Sequence, residues 1–105
     1  MISAGYRALL ALASVAVLSS AAAGTDQIVI KDFMFTPMSL TVKAGTTVTW
    51  ANKDDEPHTV VSDDGLFRSG AVDTNETFSF KFDRAGVYHF ACSIHPRMVG
   101  TVVVE

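Results

Sequence analysis

One cysteine, Cys92, is all the chain has among its 105 residues, so an internal disulfide is excluded. Basic residues are few: Lys and Arg number 8 against 11 Asp and Glu. No basic patch stands out, which argues against nucleic acid as a partner. Past residue 24, no stretch longer than about eight residues carries a helical apolar period, which argues against a helical bundle. The one long apolar run, Ala8 to Leu18, is too short to span a bilayer, which takes about 20 residues. There is no internal repeat and no low-complexity linker.

What is present begins with that apolar run. Arg7, the run itself and the small residues Ala21-Ala22-Ala23 have the layout of a secretory signal peptide, expected over 1–23 with cleavage after Ala23. No cysteine lies near the cut to carry a lipid anchor. The expected mature domain, 24–105, is 82 residues long and loses Arg7. That leaves seven basic side chains against eleven acidic ones, a formal net charge of −4. A domain of this size often needs a disulfide or a metal as a staple. With a lone thiol in an oxidising compartment, composition leans towards a metal. The acidic run Asp54-Asp55-Glu56 reads as a solvated turn.

Turn signals recur at Thr36-Pro37, Ala44-Gly45, Asn52 to Asp55, Asp63-Asp64-Gly65, Ser69-Gly70, Asp73 to Asn75 and Arg84 to Gly86. Short β-rich runs lie between them, at Gln27–Lys31, Ser39–Lys43, Thr46–Ala51, His58–Val61, Thr77–Phe82, Gly86–Ala91 and Gly100–Val104. Several alternate with period two. Val48 pairs with Trp50, Phe78 with Phe80 and Phe82, and Tyr88 with Phe90 and Cys92. The expectation is an all-β fold, a Greek-key antiparallel β-sandwich of about seven short strands. Cys92 then points inward at the end of a core strand. His89 falls on the opposite face and is set aside as a solvent-facing histidine.

Four side chains remain that can hold a metal. His58 follows Pro57, which restricts the backbone around it. Cys92, His95 and Met98 crowd a second loop, and loops of a sandwich gather at its ends. Each residue alone has a plain reading: a lone Cys is often a small buried apolar group, and Met is often packing. Together they form a soft set of one thiolate, two imidazoles and a thioether, which suits copper cycling between Cu(I) and Cu(II). Zinc also takes Cys and His, but the thioether is a poor zinc ligand and structural zinc sites carry more than one Cys.

Cys92-Ser93-Ile94-His95-Pro96-Arg97-Met98, with Asn52-Lys53-Asp54 leading to Pro57-His58-Thr59-Val60, resembles the small cupredoxins of the plastocyanin, pseudoazurin and amicyanin group. The ligand-loop spacing is most similar to amicyanin. Phe35 to Pro37, Leu40 to Gly45, Val48 to Trp50 and Gly86 to Cys92 extend the likeness over nearly the whole expected domain. The resemblance implies a single-electron carrier with one type 1 (blue) copper ion, held by His58, Cys92, His95 and Met98. It implies that the Thr59 N–H donates to the Cys92 sulfur and that Asn52 ties its loop to Ser93. Pro96 supplies no N–H to the sulfur, which leaves more charge on sulfur and lowers the potential. Thr59 and Asn75 stand where relatives often have Asn and Gly, and Thr59 is expected to loosen the joint between the loops.

The resemblance also implies a monomer in the periplasm. Its transient redox partners would be a periplasmic dehydrogenase, a c-type cytochrome, or both, with His95 as the electron port among Pro57 and Pro96. No stable membrane association is expected after cleavage. Among rival readings, an enzyme of this fold would need histidines for a second copper centre, and only His89 is spare. A copper carrier or homeostasis protein would use the same ligands but exchange the metal. A domain that only binds a partner would have no use for the ligand set.

Overall fold

In the computed structural model, residues 25–105 are described; the expected leader, 1–23, lies outside them. The order is β1 (Thr25–Lys31), β2 (Met34–Thr36), β3 (Ser39–Val42), β4 (Thr46–Asn52), β5 (Val61–Ser62), β6 (Thr77–Phe82), β7 (Gly86–Ala91) and β8 (Val99–Val104). Two four-stranded sheets pack face to face, ordered β2-β1-β4-β6 and β3-β8-β7-β5. The β-sandwich expected from the period-two runs is the observed fold.

Three details differ from the expectation. Among the described residues there are eight strands, because β2 was not foreseen: Met34-Phe35-Thr36 is short and its turn carries no glycine. The run at His58–Val61 is a strand only at Val61–Ser62, while His58 makes an isolated bridge to Val72. The sheets are not purely antiparallel, since β1 runs parallel to β4 and β3 parallel to β8. Side-chain alternation reports which face is buried, not the direction of the neighbouring strand.

Alternating residues close the core between the sheets. Ile28, Ile30, Val48 and Trp50 come from one sheet, and Phe90, Val102 and Val104 from the other, all buried. Trp50 meets Phe90 edge-on at 5.3 Å and lies 5.5 Å from Phe67, which a loop contributes. Aromatic pairs at such separations add to the area they bury. Gly100 stands opposite Phe90 in the ladder, and a Cβ there would collide with the Phe90 ring. That glycine leaves room for the Phe90 ring, two residues before Cys92.

Candidate metal centre

Two connections at one end of the sandwich form the site. The β4–β5 connection carries His58. Its backbone exchanges two hydrogen bonds with Val72, at 3.1 and 2.7 Å. The β7–β8 loop carries Cys92, His95 and Met98. The Cys92 N–H donates to the Met98 carbonyl (3.0 Å) and the Met98 N–H to the His95 carbonyl (2.9 Å), so the loop closes into a tight curl.

The curl and the first connection meet at the sulfur. The Nδ1 atoms of His58 and His95 each lie 3.8 Å from Cys92 Sγ. The ligating atoms of His58, Cys92 and His95 all fall within 4.8 Å of one another. His58, Cys92 and Met98 are buried, whereas His95 is half-buried. The two imidazole centroids are 5.0 Å apart. Donors so close, two of them aimed at a third, fit a single soft cation.

The thiol is electrostatically prepared. Burial pushes its pKa up, but the Thr59 N–H at 3.4 Å, both imidazoles and the Ile94 N–H outweigh burial and pull it down to about 6. A thiolate is the form that binds metal. Pro96 has no N–H to donate to the sulfur.

The residues around the ligands depart from expectation in two ways. Asn52 does not reach Ser93. Its amide donates to the carbonyls of Glu56 (2.8 Å) and Val72 (2.9 Å), and its Oδ1 accepts the Asp54 N–H (2.9 Å). With these bonds made it braces its own loop. The joint to Ser93 is made by Thr59, whose Oγ1 accepts the Ser93 N–H at 2.7 Å and meets the Ser93 hydroxyl at 2.9 Å. A threonine adjacent to His58 is near enough to bridge the two loops directly.

Asp54 was read as part of a solvated acidic turn, and it is buried. Its carboxylate accepts the N–H groups of Asp32 (2.7 Å) and Phe33 (2.9 Å) and lies 2.9 Å from His58 Nε2. Burial opposes its ionisation, but those two amides and His58 hold its pKa below the usual carboxylate range. The available signal was Asn52 two residues earlier, an Asx-turn pattern that folds the segment back on itself. Phe33, also unforeseen, packs edge-on against both His58 (5.3 Å) and His95 (4.9 Å). His89 is exposed and hydrogen-bonded to Thr101, away from the cluster.

The family profile of a cupredoxin-like domain matches residues 5–104. The chain belongs to the cupredoxin family. This cupredoxin is 35% identical over 108 residues to amicyanin-alpha of Methylorubrum extorquens, covering 93% of this chain and 87% of that protein. It is 39% identical over 85 residues to plastocyanin of Scenedesmus fuscus, covering 69% and 87%. Among solved structures, a purple cupredoxin from Nitrosopumilus maritimus superposes with a TM-score of 0.71 at 36% identity, covering 76% of this chain and 99% of that one. Amicyanin from Paracoccus versutus superposes with a TM-score of 0.73 at 31% identity, covering 77% and 81%.

Proposed function

We propose that this cupredoxin is a soluble single-electron carrier whose one copper ion is held by His58, Cys92, His95 and Met98. The observation that carries the reading is the convergence of His58, Cys92 and His95 within 4.8 Å around a thiol already inclined to ionise. Amicyanin variants among its structural neighbours were solved in the Cu(I) form. When bound, copper would supply a one-electron couple between Cu(I) and Cu(II). The chain's part is to hold its donors still. Thr59 fastens the two ligand loops together, and the curl between Cys92 and Met98 keeps their spacing. The half-buried ring of His95 lies in an open depression with Phe33, Ile94 and Pro96, an apolar rim suited to brief contact with a redox protein. Export through 1–23 would deliver the protein to the periplasm, where a dehydrogenase or a c-type cytochrome would exchange electrons with it.

A copper carrier is the second reading. It draws on Met34 and Met38, two exposed thioethers on the same side of the fold as Met98. A reversible redox titration separates the two readings, because a carrier need not cycle. The primary experiment adds Cu(II) to the purified 24–105 domain and records visible and electron paramagnetic resonance spectra beside Cys92→Ser. Intense colour with narrow copper hyperfine splitting, lost in the variant, is the expected outcome. A copper signal that survives loss of Cys92 would sink the assignment.

A further inference from the structure

The chain has four methionines, and the three past residue 1 all line one cleft. Met34 opens β2, Met38 lies just before β3, and Met98 lies just before β8. Met34 and Met38 are 52% and 57% exposed, whereas Met98 is 4% exposed. The cleft therefore leads from two thioethers at the surface to a third at the metal centre. Met38 is anchored beside β8, since its carbonyl accepts the Thr101 N–H at 2.8 Å.

The rest of the cleft offers a metal little else. Phe33, Phe35 and Val99 wall it, and Arg97 is its one charged residue. Among the described residues, no carboxylate or imidazole lines it. A pair of thioethers is a soft donor set, which favours Cu(I) over harder divalent ions. The Arg97 charge acts in the same sense, because it repels a divalent cation more strongly than a monovalent one. Exposed methionines also serve as pliable apolar contact surface. Any aliphatic side chain would meet that need, and it gives no reason for all three methionines to share the cleft that ends at Met98.

We propose that Met34 and Met38 form a second metal-binding site, a capture site for Cu(I) at the mouth of the cleft, which hands the ion inward to Met98 and the donors behind it. The proposal rests on the copper reading above. The transfer is ligand exchange: bonds to the surface thioethers give way to bonds at the inner donors, and no electron is transferred.

The test removes sulfur while keeping apolar volume, in Met34→Leu, Met38→Leu and the two together. Methionine-methyl NMR of the metal-free 24–105 domain is followed as Ag(I), a soft cation that does not cycle, is added with oxygen excluded. The first equivalent is expected to shift Met98, and the second to shift Met34 and Met38 together. Calorimetry is expected to find the second equivalent lost in the double variant. Stopped-flow uptake of Cu(I) from a coloured chelate should slow in that variant, while uptake of Cu(II) keeps its rate. Met34 and Met38 methyls that stay still through both equivalents overturn the proposal. So does a double variant that takes up Cu(I) at the wild-type rate, or one slowed equally for both oxidation states. If the double variant fails to fold, the wild-type methyl shifts and the single variants decide. A Met98 methyl that Ag(I) leaves unmoved would defeat the proposed function, while the Met34 and Met38 shifts would still decide the surface site.

Discussion

Cys92 shows how much one side chain can ask of its surroundings. It is buried, yet its thiol titrates at about 6 in the folded chain against an ordinary 9.0. Between these values the folded state holds thiolate and the unfolded state holds thiol. The unfolded state therefore binds the extra proton, and stability rises with pH. Below about pH 6 both states are protonated and the contribution is gone. Metal-free protein kept reduced is expected to gain up to about 4 kcal/mol from pH 6 to pH 9 through this group. Urea midpoints of wild type and Cys92→Ser across that range would expose the difference, and parallel curves would contradict it. Thr59 is the second residue on which the site leans. Removing its hydroxyl in Thr59→Ala deprives the Ser93 N–H of its acceptor, a loss of about 1–3 kcal/mol readable by the same unfolding method. A cost near zero would mean that the two loops hold together without it.

At the scale of elements, the β1–β2 hairpin matters more than its length implies. Its two-residue loop, Asp32-Phe33, places both residues at positive φ, 53° and 58°. Such loops ordinarily take Asn-Gly, and a bulky residue there is strained by roughly 1–2 kcal/mol. Two N–H bonds to the Asp54 carboxylate hold the loop in place, and the outcome is an aromatic ring laid across both imidazoles. Phe33→Gly should therefore be more stable than Phe33→Ala by about 1 kcal/mol, since both lack the ring and only the backbone preference differs. Equal unfolding midpoints would show that the turn carries no such strain. The β7–β8 loop solves a different problem. The Cys92 N–H bond to the Met98 carbonyl closes it before β8 begins, so three of the candidate ligands share one short curl anchored on a core strand.

For the molecule as a whole, small size makes ligand binding a large contribution to stability. A domain of about 80 residues has little margin of its own. A metal that binds only the folded state adds about 4.1 kcal/mol at a thousand times its dissociation constant. Each kcal/mol is worth roughly 4–8 °C in a domain of this size. Copper is thus expected to raise the melting temperature of the 24–105 domain by well over 10 °C, in a concentration-dependent way. Calorimetry with and without Cu(II), with Cys92→Ser as the control, checks this; an equal rise in the variant would place the binding elsewhere. The surface at this end of the fold fits the same picture. Phe33, Ile94 and Val99 are exposed, at 43%, 51% and 45%, with the acidic pair Asp55 and Glu56 on the neighbouring connection.

Residue spacing alone determined a good deal. Period two at Val48/Trp50, Phe78/Phe80/Phe82 and Tyr88/Phe90 fixes which face of each strand is buried, because alternate side chains of a strand point opposite ways. Cys92, His95 and Met98 were readable as a group because their separations along one short loop are local quantities, and His58 because an adjacent proline restricts its backbone. Partners across the fold were not readable. The parallel pairings of β1 with β4 and β3 with β8 depend on how the chain crosses between sheets. The joint from Thr59 to Ser93 spans 34 residues. Asp54 looks like any acid in a charged run; it is buried and bonded to His58 only because the Asp32-Phe33 turn, more than 20 residues earlier, supplies two N–H groups to its carboxylate. The sequence sets which side chains can bind a metal, since that follows from their chemistry and local spacing. Only the tertiary structure decides which of them meet and which charges stand behind them, since that requires distant segments to satisfy one another's hydrogen bonds.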